Sequence, residues 1–410
     1  MRRDEARQDQ DPRGRPAAAD SPLLAPLFLL LISLPLLAML LRLAPADANV
    51  EKRKLADPPE FSWRRPLDYL KGFAAYFNDR FAFRGRLVRA HSRLLYRLFG
   101  VSASDRVVIG RQGWLYLGRG NYFNNELDYF RAARPFTLAE LQRFTATLEE
   151  RRDWLARRGI RYLFVPIPNK STIYPEYLPA AINRVQARSR LDQLLDYLRR
   201  RSDVEFLDLR PALLGRKRVE RVFHKTDSHW NDLGGYRAYR EIAERLRRLF
   251  PALRPLTEAQ VVVGRREGAG GDLAELLNLQ EDVFRETYIT VRPLLPFRAR
   301  AGRPTPGFRP RAPWVRLVAS ECPAGEVAAA VMVRDSFAHQ LMPFLSEHFR
   351  RIVYVWDWEL HAFPDVILKE RPSVVIDQMA ERSLLNILPK NPPSFAAGRP
   401  EPGARDLSRR

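Results

Sequence analysis

From Tyr162 to Asp377 the chain alternates strand-like runs with helical ones, and this alternation limits the possible folds more than any other feature of its 410 residues. The strand-like runs fall at 162–168, 204–207, 327–333, 352–356 and 373–377, with helical periodicity over 187–200, 231–250, 337–349 and 364–370. The strand-like runs are rich in Val, Ile and aromatic side chains, and strands separated by helices pair in parallel. The pattern predicts an open, doubly wound parallel α/β sheet. In such sheets ligands lie outside the carboxyl ends of the strands.

Residues 1–21 are charged, rich in Ala and Pro, and lack apolar periodicity, so a tail is expected there. Residues 22–43 stay apolar up to Arg42 and are long enough for a transmembrane helix, with the tail cytoplasmic and the body extracytoplasmic. A cleaved signal peptide competes, because Ala44-Pro45-Ala46 and Ala46-Asp47-Ala48 resemble small-residue cleavage sites. A linker over 44–62 precedes a single domain over 63–385, and a flexible tail over 386–410 follows. Within the domain, 66–100 reads as helical with a basic face that suits either solvent or lipid headgroups. Val107-Val108-Ile109 and Trp114-Leu115-Tyr116-Leu117 read as a hairpin turning at Arg111-Gln112. Thr137 and Glu140 form a capping-box pattern that starts a helix. The Pro- and Arg-rich stretch 292–313 reads as a long loop.

The formal charge of +21 invites nucleic acid, an anionic membrane surface or an acidic polymer as partner. Most of the 69 basic residues are arginines scattered along the whole length, and no nucleic-acid motif accompanies them, so nucleic acid is set aside. The single cysteine, Cys322, excludes an internal disulfide and a cysteine-rich zinc site.

Two short stretches carry chemistry. In Val333-Arg334-Asp335-Ser336-Phe337 a serine stands where a strand ends and a helix begins. Taken alone, Asp335-Ser336 is a helix cap. At that position, however, a hydroxyl also faces the ligand crevice, and free backbone N–H groups could receive a developing oxyanion. The Gly-x-Ser-x-Gly elbow of ordinary α/β-hydrolases is missing. In Thr226-Asp227-Ser228-His229-Trp230 an acid precedes a histidine by two residues. Asp227 can accept from one imidazole nitrogen and leave the other free to take a serine proton, the arrangement serine-based acyl transfer requires. Such a triad needs neither metal nor cofactor. Trp230 could wall the pocket, stack on a sugar face or simply belong to the core. A rival use of the histidines is a zinc or manganese site built from His224, Asp227 and His229.

These stretches, with Gly110-Arg111-Gln112-Gly113-Trp114-Leu115, Pro168-Asn169-Lys170 and Tyr174-Pro175, resemble the alginate O-acetyltransferase family of AlgJ- and AlgX-like proteins with an SGNH-hydrolase-like domain. The resemblance runs in the same order over about residues 50–385. It implies Ser336 as nucleophile, with Asp227 and His229 completing the triad. It also implies an exported or membrane-anchored protein beside a multi-pass acyltransferase that supplies acetyl for polysaccharide hydroxyls. Arg334 departs from the family, standing where related serine motifs often carry Gly. No carbohydrate-binding module is visible after residue 385, so a likeness to the single-domain, anchored members is expected. Lys170 and Tyr174 follow the first strand and are expected at the same sheet edge as Ser336. There Lys170 could hold a substrate carboxylate or carbonyl, or be a surface lysine, and Arg334 could do likewise or pair with Asp335. An esterase with water as acceptor, or a tethered glycan-binding scaffold, would fit the same sequence.

Overall fold

The computed structural model describes residues 24–41, 55–61, 63–119, 125–309, 315–356, 363–386, 389–391 and 395. The expected tail over 1–21, and most of the linker and of the tail from 386, lie outside them. The chain divides into two compact units, one up to Val88 and one from Arg89 onward, so the boundary falls beyond the expected start of the domain at residue 63.

In the first unit the apolar run forms a helix over Leu24–Leu40, with Pro35 inside it. The expected transmembrane helix over 22–43, whose first two and last two residues lie outside the described ones, finds no support here. Among the described residues no helix is long and apolar enough to cross a membrane. At 17 residues this one rises only about 25 Å, against a hydrocarbon core of roughly 30 Å. The continuous helix expected over 66–100 is also broken. Phe83 adopts a left-handed φ of 64°, separating Pro66–Arg80 from Arg84–Phe99. On the basic face, Arg93 pairs with Asp282 and Arg89 donates to the Asn278 carbonyl at 3.1 Å.

The second unit is built on one six-stranded sheet. A hairpin of β1 (Val107–Ile109) and β2 (Leu115–Leu117) precedes it, with Gln112 at φ 55° in the turn. The sheet strands are β3 (Arg161–Ile167), β6 (Arg300–Ala301), β7 (Arg316–Glu321), β8 (Val327–Val333), β9 (Phe349–Trp356) and β10 (Val374–Ala380), while β4 (Val261–Gly268) and β5 (Glu286–Pro293) form a separate antiparallel ribbon. The spatial order is β3-β10-β8-β9-β7-β6. The first four strands are parallel, and β7 and β6 add an antiparallel edge. The doubly wound parallel expectation therefore holds for the four strands that carry the crevice and fails at the β7 edge. The strand expected at 204–207 is reduced to one parallel bridge between Phe164 and Phe206.

Alternation along each central strand sends its side chains into two cores. Leu163, Val165, Ala330, Met332, Ile352 and Ile376 join one face with Leu233, Tyr236, Ile242 and Leu246 of the helix Asp232–Leu249. Phe164, Val331, Val353 and Val375 join the other, with the helices Leu138–Ala156 and Arg190–Arg201. Strands buried on both faces need apolar residues at every position, which is why β8 reads VAAAVMV. The capping box at Thr137 and Glu140 forms as expected. The helix expected over 337–349 divides into a 3₁₀ turn, Ser336–Gln340, and a short helix, Met342–Ser346, whose first turn takes Pro343.

Candidate active site

The sheet presents the ends of β3, β10 and β8 side by side, and each end contributes to the site. Ser336 follows β8, its peptide fixed by Asp335. That carboxylate accepts from Phe337 N at 2.9 Å, from Gln378 Nε2 at 2.6 Å and from Ala380 N at 2.7 Å. Asp335 is therefore the cap that the sequence pattern describes and also a tie to β10. Because Phe337 N–H is taken up by Asp335, that group is not free for an oxyanion.

Asp227 and His229 lie on a tight loop closed by the bridge between Phe223 and Trp230. Asn231 ends the loop by capping the helix Asp232–Leu249, accepting from Gly234 N at 3.0 Å. Glu286, on β5, accepts from Thr226 N at 2.8 Å and from Thr226 Oγ1 at 2.7 Å. From the hairpin, Leu115 N donates to the Lys225 carbonyl at 2.8 Å. The loop is held from several sides, so its backbone is fixed before any ligand arrives.

The three residues meet. His229 Nε2 lies 2.7 Å from Ser336 Oγ, and His229 Nδ1 lies 2.7 Å from Asp227 Oδ1. Asp227 also accepts from His229 N at 2.9 Å and from Asp272 N at 3.0 Å. Burial works against its charge, but these hydrogen bonds and the imidazole hold the Asp227 carboxyl far below the ordinary carboxylate range. Burial likewise disfavours the charged imidazole. The hydrogen bond and charge of Asp227, with the charge of Asp272, outweigh that and raise His229 above its ordinary value. A base of raised affinity facing a hydroxyl at hydrogen-bond distance is equipped to take its proton.

The other residues expected at the substrate have different work. Lys170 is fully buried, and its ammonium donates to the carbonyls of His224, Lys225 and Asp227 at 3.2, 3.1 and 2.6 Å. Three donor hydrogens meet three acceptors, so Lys170 fastens the Asp227 loop and has none left for a ligand. Tyr174 is buried against Trp114, with ring centroids 4.4 Å apart, and its hydroxyl accepts from Val222 N at 3.0 Å. Trp230 is wholly buried and donates from Nε1 to the Phe337 carbonyl at 3.0 Å, so it has no face for a sugar. Arg334 is also buried. It lies over the Trp356 ring at 4.7 Å, 3.0 Å from His339 Nε2, and does not pair with the Asp335 carboxylate.

Metal-ligand atoms of Asp227, His229 and Asp272 lie within 4.8 Å of one another, and His224 is not in that group. His224 packs edge-on against Tyr288, 5.1 Å away, and burial pushes it down to about 4. Any ion at the trio would compete with hydrogen bonds already made by both His229 nitrogens. Asp272 itself was not expected from the sequence. The only hint is the glycine-rich Gly268-Ala269-Gly270-Gly271 just before it.

The family model for the SGNH hydrolase-like domain of the acetyltransferase AlgX matches residues 107–294. Over that span the chain is similar to the AlgJ/AlgX-like family. The matched span holds Asp227, His229 and Asp272 and ends before Ser336. The chain is 27% identical over 234 residues to a protein of Pseudomonas aeruginosa named "Probable alginate O-acetylase AlgJ", covering 55% of this chain and 56% of that protein. Similarity to the protein of the same name from Azotobacter vinelandii is 27% over 165 residues, 40% of this chain and 39% of the relative. The match thus spans about half the length of these curated relatives or less. Among solved structures, Bacillus cereus PatB1 aligns at TM-score 0.50 and 15% identity, covering 70% of this chain and 98% of PatB1, a likeness of fold. The O-acetyltransferase domain of Pseudomonas putida AlgJ aligns at TM-score 0.44 and 20% identity, covering 70% and 94%.

Proposed function

We propose that the second unit is an O-acetyltransferase acting on polysaccharide hydroxyls through an acetyl-serine intermediate. The observation that carries this reading is the continuous hydrogen-bonded line from Asp227 Oδ1 through His229 to Ser336 Oγ, with both links at 2.7 Å. The names of the curated relatives, probable alginate O-acetylases, support the reaction class.

In the first half-reaction His229 Nε2 takes the hydroxyl proton as Ser336 Oγ attacks the acetyl carbonyl. The bond to the donor's leaving group then breaks, and the leaving group departs with the proton from Nε2. In the second half, Nε2 takes a proton from a sugar hydroxyl, whose oxygen attacks the acetyl-serine. Collapse transfers acetyl to the sugar and returns the proton to Ser336. Asp227 keeps Nδ1 protonated throughout and balances the imidazolium charge. The acceptor we propose is an extracytoplasmic polysaccharide, and the proposed donor is a membrane-bound multi-pass acyltransferase.

The test incubates purified protein with p-nitrophenyl acetate, with and without alginate oligosaccharides, and follows acetate and sugar mass. We expect sugars gaining acetyl groups with wild type and none with Ser336→Ala. Acetate released at one rate in both mixtures, with no acetylated sugar, would replace transferase by esterase. A Ser336→Ala protein that still supports polymer acetylation in cells would replace catalysis by glycan scaffolding.

A further inference from the structure

A second carboxylate stands beside the imidazole, and the triad chemistry does not call for it. Asp272 opens the helix Asp272–Leu276, with Oδ2 3.8 Å from His229 Nδ1. It accepts from Ser228 N at 2.7 Å and from Ser228 Oγ at 2.6 Å. Ser228 Oγ in turn lies 3.2 Å from His229 Nδ1. Contact this close needs the glycine before it. A Cβ on Gly271 would stand 2.4 Å from Asp227 Cβ, so any side chain there would push the Asp272 backbone off the Asp227 carboxylate.

A hydroxyl has one hydrogen, and an ionised carboxylate can only accept. With the Ser228 hydrogen directed at Asp272, Oγ offers Nδ1 a lone pair. Nδ1 then faces acceptors alone: Asp227 Oδ1, Ser228 Oγ and, further off, Asp272 Oδ2. The proton belongs on Nδ1, which leaves Nε2 bare toward Ser336. We propose that Asp272 is a positioning residue of the triad, committing the Ser228 hydroxyl so that His229 keeps its Nδ1–H tautomer, and adding a second negative charge beside the imidazolium. This rests on the acyl-transfer reading above.

The other ionisable groups facing the imidazole are Asp227 on its own loop, Arg382 from the turn Glu381–Leu385, and His339 from the turn after Ser336. Arg382 opposes a charged His229, and Asp272 offsets it. Around the two carboxylates stand Lys170 and Tyr288. Burial, and then the neighbouring Asp227 charge, raise the Asp272 carboxyl.

The deciding variant is Asp272→Asn in the full chain, which keeps the size and removes the charge. The acid limb of kcat/KM for p-nitrophenyl acetate should move down by about one pH unit. The plateau should fall about tenfold. Proton NMR should show the His229 imidazole titrating lower by the same interval. If limb and titration both stay at the wild-type pH while only the melting temperature drops, Asp272 is structural and the proposal is overturned. Ser228→Ala leaves both carboxylates in place and should lower the plateau severalfold with the limb unmoved; a wild-type plateau would remove the hydroxyl from the account. If the wild-type protein turns over no acetyl donor, the acyl-transfer reading fails by itself, and the NMR titration still decides what Asp272 does to His229.

Discussion

Trp230 and Phe337 join the two segments of the site one residue beyond the atoms that react. The indole Nε1 donates to the Phe337 carbonyl at 3.0 Å, and the two rings meet edge to face at 5.2 Å. The residues just before them, His229 and Ser336, meet at 2.7 Å. Both aromatic side chains are fully buried, so the proton-transfer distance is set by a packed, hydrogen-bonded core contact rather than by flexible loops.

Trp230→Phe keeps most of that packing and removes the donor. Leaving the buried Phe337 carbonyl without it should destabilise the protein by about 1–3 kcal/mol. A drift of the serine loop should lower kcat by about 10- to 100-fold with KM little changed. Urea unfolding and steady-state kinetics on p-nitrophenyl acetate measure both. A wild-type kcat in a destabilised variant would show that the indole does not set the alignment.

The raised His229 and depressed Asp227 give a signed pH dependence. Proton removal from Ser336 needs neutral imidazole, so activity should rise with pH along a limb centred above the ordinary imidazole value of 6.5. The stability contribution of His229 runs the other way. A raised folded value means that it is fully present below pH 6.5 and is lost as pH climbs through the folded value. Asp227, held low, contributes stability above 3.8 that disappears as pH falls further. Melting curves of wild type and His229→Gln should therefore converge as pH rises through the window in which activity appears. Curves that stay parallel would mean that His229 is not raised in the folded protein.

What the sequence revealed and what it hid divide along a physical line. The strands β3 and β8 were legible because burial on both faces demands apolar runs, and β10 from its opening Val374-Val375-Ile376. β7 was not, because an antiparallel strand next to the sheet's edge, with half-exposed side chains, reads RLVASE, with no run to see. The β4–β5 ribbon, carrying Gly264, Arg265 and Arg266 in its first strand, was hidden for the same reason. Asp227 and His229 were legible as a pair because they stand two positions apart, and Ser336 because a strand end points at it. Asp272 and Glu286 reach the same loop only through tertiary packing, 45 and 60 residues from their partners. Lys170 misled because a charged residue on a loop is normally exposed, and no local pattern shows that three carbonyls will close over it.

Replacing Lys170 tests that role. Lys170→Met preserves length but removes the side-chain donor from the carbonyls of 224, 225 and 227, of which, among the described residues, only that of 225 keeps another donor, Leu115 N. A loss of about 3 kcal/mol in unfolding free energy should accompany slower acetyl transfer, since the same loop carries Asp227. Burial pushes Lys170 down to about 8, so between that pH and 10.5 the unfolded chain binds the extra proton. This residue alone then makes the wild type more stable as pH rises through the window. If stability is unchanged and only KM rises, the ammonium contacts substrate after all, and the loop is held by other means.

Glu381 gives the opposite sign from a similar depth. It begins the turn after β10 and is wholly buried, accepting from Asn169 N at 2.8 Å and from the Thr172 hydroxyl, with Tyr129 Oη at 3.4 Å. Burial pushes its carboxyl up to about 7 from an ordinary 4.5. The folded state thus binds more protons than the unfolded chain between those values, and stability falls as pH rises through them. Glu381→Gln keeps the accepting oxygen and cannot ionise. It should match wild type below pH 4.5 and exceed it above pH 7 by on the order of 1–3 kcal/mol. Chemical denaturation at pH 4.5, 6 and 8 reads the gap directly. If the gap fails to open with pH, Glu381 stays ionised in the fold, and the hydrogen bonds from Asn169 and Thr172, with the nearby Arg210 charge, outweigh its burial.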